Sequence, residues 1–159
     1  MVTNSKQSAV ATRATPRRRI LLVEDNEADA TLTRIVHEEV KHCAWLDTVD
    51  SAAEAIQYVR GEGNYSDKAR PDVILLDMTL PVKSGLELIS EIRAVPGCQY
   101  TPIIMISGSD NPVTLREAYE LGANCVIKKS SSWKEYFHKL ESCYEFWCDV
   151  AELPSPAGA

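Results

Sequence analysis

Three carboxylates, one hydroxyl and one ammonium group stand at the ends of short apolar runs in this sequence. Glu24 and Asp25 follow the run "RILLV", and Asp77 ends the run "DVILLD". Ser107 ends "PIIMIS", and Lys129 follows "NCVIK". Carboxylates about 4 Å apart repel by about 4 kcal/mol at an effective dielectric near 20, so a cluster of them needs a compensating charge. Lys129 would supply one positive charge, and Mg²⁺, which favours a few carboxylates plus waters, would supply more.

Each of these residues also has an ordinary structural explanation. Asp25 can cap a helix and Asp77 can cap a loop, because short acidic side chains satisfy free backbone amides at such places. Lys129 alone would be a surface lysine, and Ser107 alone a strand-end hydroxyl. Their shared position at the ends of apolar runs favours one common site over separate caps.

The apolar runs alternate with stretches of helical periodicity. Continuous apolar runs are typical of strands buried on both faces, and apolar residues spaced three and four apart predict amphipathic helices. The predicted strands are 19–23, 44–49, 72–77, 102–107 and 124–128. This alternation predicts an α/β fold: a doubly wound, five-stranded parallel sheet with helices on both faces. Ligands of such sheets bind beyond the carboxyl ends of the strands, near the topological switch point, where these polar residues would meet.

The helices between the strands carry recognisable start signals. Asn26 can cap the first helix, and Ser51 with Glu54 and Ser132 with Glu135 match the capping-box pattern. The apolar positions predicted to be buried in the first helix are Ala28, Leu32, Ile35, Val36 and Val40. Those predicted in the fourth helix, which starts near Pro112, are Leu115, Ala118 and Tyr119.

Composition limits the function classes. The chain has 159 residues, 45% hydrophobic and 25% charged, which suits one soluble domain at 18–150 between mobile tails at 1–17 and 151–159. The net charge of −6 argues against nucleic-acid binding. We expect no membrane segment, because no apolar run approaches the ~20 residues that span a bilayer. Five cysteines without a signal peptide favour reduced thiols and a cytoplasmic location.

Four segments taken together resemble the receiver domain of bacterial response regulators. They are "LLVEDN" (21–26), "DVILLDMTLP" (72–81), "PIIMISG" (102–108) and "GANCVIKKS" (122–130). Their order and spacing match that family across roughly residues 18–148. The resemblance implies a flavodoxin-like fold and phosphoryl transfer from a histidine kinase. It also implies a signalling protein rather than an enzyme, whose only chemistry is its own phosphorylation and dephosphorylation.

The same resemblance implies roles for the acids. Asp77 would be the phosphoacceptor, and its carboxylate would attack a phosphohistidine in line to give an acyl phosphate. Glu24 and Asp25 would be the acidic pair that holds Mg²⁺. Asp25 and Asp77 would be direct ligands, and the backbone carbonyl of Thr79 would complete the protein's set.

The hydroxyl and the ammonium group would act on the phosphoryl oxygens. Lys129 would pair with one oxygen, with Lys128 the weaker candidate, and the Ser107 hydroxyl would donate to another. Two residues depart from the family pattern. Val126 stands where a switching Tyr or Phe is common, and Ser130 stands where Pro usually follows the lysine.

Two further segments predict partners. "GNYSDKARPD" (63–72) and "YEFWCDVAELP" (144–154) are similar to the regulators that serve phytochrome-type, light-sensing histidine kinases. The last helix carries aromatic residues on one side and the stripe Cys143, Phe146 and Val150 beside it. Because a helix that is apolar on two sides usually meets a partner, we expect a homodimer through this helix and its neighbours. With no output domain in the chain, the signal would pass by protein contact.

Two other functions fit parts of the sequence. A phosphatase could use the same strand-end aspartate, but such enzymes usually carry a second Asp two residues later, where this chain has Thr79. A receiver-like fold could also bind partners without phosphorylation. The complete set of acids, hydroxyl and lysine argues against that alternative.

Overall fold

The computed structural model describes residues 17–40 and 45–154, which form a parallel sheet of five strands between two layers of helices. The strands are β1 (Arg19–Val23), β2 (Trp45–Val49), β3 (Val73–Asp77), β4 (Ile103–Ser107) and β5 (Cys125–Lys128). The helices are α1 (Glu27–Glu39), α2 (Ala52–Arg60), α3 (Gly85–Ala94), α4 (Pro112–Glu120) and α5 (Trp133–Tyr144). A π-helical stretch at Glu145–Val150 extends α5, and a short 3₁₀ turn at Gly63–Tyr65 follows α2.

The strand order β2-β1-β3-β4-β5, with every pair parallel, confirms the predicted doubly wound sheet. The chain moves to one side of β1 for β2 and to the other side for β3. The topological switch point therefore lies between β1 and β3, and the crevice beyond their carboxyl ends is the expected ligand position.

The sheet separates two apolar cores. One side packs against α2, α3 and Ala118 of α4, and the other side packs against α1, α5 and the π-helical stretch. All five residues of β3 and all five of β4 are buried, as expected for central strands covered on both faces.

Side chains cap all five α-helices, three of them at the predicted residues. Asn26 accepts a hydrogen bond from the amide of Asp29, while Ser51 and Ser132 accept from the amides three residues later. The complete reciprocal capping box lies instead at Ser84 and Glu87, at the start of α3.

Two of the predicted buried faces are wrong in part. In α1, Ala28 and Ile35 are exposed, and the buried residues are Ala30, Thr33 and Val36, followed by the buried C-cap residue Val40. In α4, only Ala118 is buried, whereas Leu115 and Tyr119 remain 45% and 49% exposed. Because α4 lies at the edge of the sheet, it has less surface to pack against than a central helix.

The ends of the chain fall largely outside the described residues. Of the predicted N-terminal tail 1–17, only Arg17 is described, and its guanidinium carbon lies 5.4 Å from the ring centre of Trp45. Of the predicted C-terminal tail 151–159, Leu153 packs partly buried against the core on the α1 and α5 side. No helix in the described ranges has both the length and the apolar composition to cross a membrane.

Candidate functional site

Strand register brings the polar strand ends together. Val23 pairs with Leu76, so the next residues, Glu24 and Asp77, lie side by side across the switch point. Asp77 pairs with Ile106 on its other side, which places Ser107 one residue beyond. Ser107 in turn pairs with Lys128, and the Lys129 amide donates to the Ser107 carbonyl at 2.7 Å. The side chains of Glu24, Asp77, Ser107 and Lys129 therefore meet at one edge of the sheet, as the sequence predicted. We call this edge the rim.

Glu24 and Asp77 form a buried carboxyl pair. Glu24 and Asp77 are each only 4% exposed to solvent. The amide of Asn26 donates to Glu24 Oε1 at 3.0 Å, and the amide of Thr79 donates to Asp77 Oδ1 at 3.0 Å, so each side chain is fixed from its own loop. Burial, together with the neighbouring Asp77 carboxyl, raises the pKa of Glu24 to about 8. Metal binding at such a pair would compete with this proton, because a carboxylate ligand must be deprotonated.

Lys129 is the ammonium group that meets these acids. Its Nζ lies 3.3 Å from Asp77 Oδ2, 3.5 Å from Glu24 Oε2 and 2.7 Å from Asp29 Oδ2. Burial by itself would lower the pKa of Lys129, but the hydrogen bond to Asp29 and the three nearby acidic groups raise it. Lys128, the weaker candidate, instead pairs with Asp110 in the β4–α4 loop.

The structure places one predicted acid apart and adds another. Asp25 is exposed, and among the described residues the carboxylates whose oxygens all lie within 4.8 Å of one another belong to Glu24, Asp29 and Asp77. The metal-binding role of Asp25 stays a prediction. Asp29 was missed because it lies inside a helix rather than at a strand end. The sequence feature that could have revealed Asp29 is its position three residues after the Asn26 cap, in the first turn of α1.

Ser107 is buried next to a small cavity. Its Oγ accepts a hydrogen bond from the Ser109 amide at 3.0 Å and lies 3.4 Å from the sulfur of Met78. The hydroxyl hydrogen therefore faces only a weak acceptor, and it is free to turn to a stronger one. A cavity of about 190 Å³ beside it is lined in part by Met78, Leu115 and Val126. The short Val126 side chain, in place of an aromatic ring, leaves this space open.

Gly85 is a second residue that the sequence analysis did not assign. Its amide donates to the Met78 carbonyl at 3.0 Å, which brings the start of α3 against the end of β3. A Cβ atom at this position would lie 2.4 Å from the Asp77 carbonyl oxygen. Glycine is required here because the backbone approaches the Asp77 peptide too closely for any side chain.

The donor set fits a hard divalent cation. Carboxylate oxygens are preferred ligands of Mg²⁺, and two of the three clustered acids are almost fully buried beside a single ammonium group. The backbone amide of Thr79 holds Asp77, while the part of its carbonyl in metal binding remains a prediction. Carboxyl groups gathered at strand ends with a lysine and a hydroxyl can bind a metal ion and a phosphoryl group together.

Comparison with known proteins agrees with this chemistry. Residues 20–141 match the family model of the response regulator receiver domain. The chain is 32% identical over 140 residues to the response regulator Rcp1 of Synechocystis sp., which covers 88% of this chain and 95% of that protein.

Solved structures show the same fold. The phosphorylated cyanobacterial phytochrome response regulator RcpA superposes with a TM-score of 0.83 at 37% identity, over 87% of this chain and 99% of that one. The Mn²⁺-bound form of the response regulator Rcp1 superposes with a TM-score of 0.81 at 32% identity over the same shares.

Proposed function

This chain belongs to the family of response regulator receiver domains, and on that premise we propose that Asp77 accepts a phosphoryl group from a histidine kinase in a Mg²⁺-dependent reaction. The observation that carries this proposal is the position of the Asp77 carboxylate. It is buried at the switch point, with its Oδ2 3.3 Å from the Lys129 ammonium group. Its Oδ1 is held by the Thr79 amide, which orients the second oxygen toward the rim.

The transfer requires positioning and charge stabilisation from the protein. A carboxylate oxygen of Asp77 attacks the phosphorus atom, and an O–P bond forms as the P–N bond to the kinase imidazole breaks. The leaving imidazole keeps the electron pair of the broken bond, and the product is an acyl phosphate. The Lys129 ammonium pairs with one phosphoryl oxygen, and the Ser107 hydroxyl turns from the sulfur of Met78 to donate to another.

A divalent cation fits the acids of this rim. Glu24, Asp25 and Asp77 would hold Mg²⁺, with the Thr79 backbone carbonyl as a further ligand. When bound, the ion neutralises negative charge on the transferring phosphoryl group. Support for Glu24 and Asp77 comes from their place in the buried carboxylate cluster, and support for a divalent ion comes from the Mn²⁺-bound form of the relative Rcp1. Burial raises the pKa of Glu24 to about 8. Metal binding would therefore release the proton of Glu24 at neutral pH.

The kinase partner is proposed to be of the phytochrome type. The supporting observation is that RcpA, at 37% identity over 87% of this chain, is a phytochrome response regulator. We place the protein in the cytoplasm with such a kinase, and we expect it to pass its signal on through contacts with other proteins. Regions 1–17 and 151–159 would be tails outside the receiver domain at 18–150.

A homodimer through the last helix and its neighbours is the proposed assembly. Ten large apolar side chains are exposed in the described part of the chain, and five of them lie on α4 or on the extension of α5. These five are Val113, Leu115, Tyr119, Phe146 and Val150. These residues lie on the two elements that flank the edge strand β5 on its opposite sides. A second copy of the chain would cover these side chains with the same residues.

Phosphorylation of the purified chain by a small phosphodonor tests the main proposal. With acetyl phosphate and Mg²⁺, mass spectrometry should show one added phosphoryl group, which is lost in EDTA and in Asp77→Asn. The matched control Asp67→Asn removes an exposed carboxylate and should label like the wild type. Undiminished labelling of Asp77→Asn would exclude the assignment. Sustained release of phosphate from unrelated esters would indicate a phosphatase instead.

A further inference from the structure

The shortest contact of Lys129 is not with the phosphoacceptor. Its Nζ lies 2.7 Å from Asp29 Oδ2, compared with 3.3 Å to Asp77 and 3.5 Å to Glu24. An ammonium group has three hydrogens to donate, and here three carboxyl groups surround it. Asp29 therefore makes the strongest of the three charge-assisted hydrogen bonds.

Asp29 is held firmly by its helix. Its amide donates to the side chain of Asn26, and its carbonyl accepts from the hydroxyl of the buried Thr33. An acidic side chain in the first turn is also favoured by the helix dipole. The capped start of α1 therefore fixes the backbone position from which the Asp29 carboxylate reaches the lysine side chain.

We propose that Asp29 is a positioning residue that anchors the Lys129 ammonium group for phosphoryl transfer. With one hydrogen committed to Asp29, the other two point toward the space between Asp77 and Glu24, where the phosphoryl oxygens would lie. The anchor does not need to be released, because Nζ already reaches Asp77 while it is bound to Asp29. This inference rests on the proposed function of Asp77 and Lys129, and it adds the residue that sets the geometry between them.

Two simpler roles for Asp29 predict different results. If the carboxylate only added negative charge, its removal would strengthen the binding of an anionic phosphodonor, whether or not Lys129 is present. If it were a metal ligand, its removal would weaken Mg²⁺ binding. Loss of an anchor instead slows the transfer step, because a donor that is not preorganised stabilises the transition state less well.

The test compares Asp29→Ala and Asp29→Asn with the control Glu27→Gln. Glu27 lies in the same turn of α1 but pairs with Arg34, so this control removes a charge without touching Lys129. The phosphorylation rate with acetyl phosphate is measured against donor concentration at saturating Mg²⁺, and Mg²⁺ affinity is measured separately by titration. Circular dichroism checks that each variant is folded.

We expect Asp29→Ala to lower the rate constant at saturating donor about tenfold, the loss expected for one charge-assisted hydrogen bond. The half-saturating donor concentration and the Mg²⁺ affinity should change by less than about twofold. Asp29→Asn should lie between alanine and the wild type, because its amide oxygen can still accept from Lys129. In a Lys129→Ala background, Asp29→Ala should have no further effect.

Three results would overturn the inference. They are an unchanged rate in Asp29→Ala, a loss of Mg²⁺ affinity that accounts for the slower rate, and an equal effect of Asp29→Ala with and without Lys129. Failure of the proposed function looks different, since the wild-type protein would then take up no phosphoryl group at all. A labelled wild type with an equally fast Asp29→Ala rejects the role of Asp29 alone.

Discussion

At the residue scale, the rim is a balance between desolvated acids and one ammonium group. Glu24 and Asp77 are almost fully buried, and two adjacent buried carboxyl groups cannot both ionise without a large energetic cost. The protein meets this cost in part through Lys129, and in part by raising the pKa of Glu24 to about 8 through burial and the neighbouring Asp77. The raised pKa means that Glu24 holds its proton to a higher pH than an ordinary carboxyl group does.

This raised pKa predicts a pH-dependent stability in the absence of metal. Between the ordinary carboxyl pKa of about 4.3 and the value of about 8, folded Glu24 binds more protons than unfolded Glu24 does. The contribution of this group to the free energy of unfolding is therefore greatest below that interval and falls as the pH rises through it. In EDTA, the Tm of the wild type should fall between pH 6 and about pH 8.5, and the Tm of Glu24→Gln should fall by less over the same interval.

Thermal unfolding followed by circular dichroism over a pH series measures this difference. The control Glu27→Gln should keep the wild-type slope, because Glu27 is an exposed residue outside the carboxyl pair. Added Mg²⁺ should raise the Tm of the wild type more at high pH than at low pH, since metal and proton compete for the same carboxylates. Identical slopes in Glu24→Gln and the wild type would contradict the assigned pKa.

At the element scale, Arg93 ties the end of α3 to two loops. Its guanidinium donates to the backbone carbonyls of Gly122 at 2.6 Å, Thr101 at 2.6 Å and Cys98 at 3.1 Å, and to Asn124 Oδ1 at 2.8 Å. Gly122 has a φ of +108°, and a Cβ atom there would lie 3.1 Å from Arg93 Nε. The glycine therefore provides both the turn and the space that the arginine needs.

Removal of Arg93 should destabilise the fold without touching the rim. Arg93→Ala would leave several partly buried carbonyls without their donors, which predicts a loss of about 2–4 kcal/mol in the free energy of unfolding. Arg93→Lys should recover only part of this loss, because one ammonium group cannot reach all the acceptors of a planar guanidinium.

Urea denaturation measures the loss. The matched control Arg60→Ala removes an exposed arginine from the last turn of α2 and should cost about 0.5 kcal/mol or less. Phosphorylation of the folded Arg93→Ala protein at low temperature should remain close to that of the wild type. Equal denaturation midpoints for Arg93→Ala and Arg60→Ala would contradict the stabilising role of the Arg93 hydrogen bonds.

At the scale of the whole molecule, half of the exposed large apolar side chains in the described ranges lie on the elements that flank the edge strand β5. The exposed apolar residues of α4 and of the α5 extension flank β5, and a shallow surface groove between β5 and α5 is lined in part by Phe146 and Trp147. A monomer would leave these side chains in water. A second copy that covers them would gain about 25 cal/mol for each Å² of apolar surface buried.

Charged substitutions of these residues should therefore separate the proposed dimer. Leu115→Glu combined with Phe146→Glu places two carboxylates in the contact, and analytical ultracentrifugation should show a monomer where the wild type is a dimer. Tyr100→Glu is the control, because Tyr100 is 79% exposed in the α3–β4 loop and belongs to neither α4 nor the α5 extension. A wild type that is monomeric with and without phosphodonor would reject the dimer.

The sequence alone determined the order of elements, the parallel sheet and the gathering of Glu24, Asp77, Ser107 and Lys129 at one rim. It could do so because apolar runs and helical periodicity are local patterns, and because parallel strands always bring their carboxyl ends to one edge. The family resemblance rested on the same residues, and the match of residues 20–141 to the receiver-domain family confirmed it.

Only the tertiary structure decided which side chains complete the rim and which helix faces are covered. Asp29 reaches Lys129 from a residue 100 positions away, and Asp25 is exposed although it adjoins the buried Glu24. Leu115 and Tyr119 have the spacing of a buried face, yet they stay exposed because α4 lies at the edge of the sheet. Such outcomes depend on the packing of elements distant in sequence, and local periodicity carries no information about that packing.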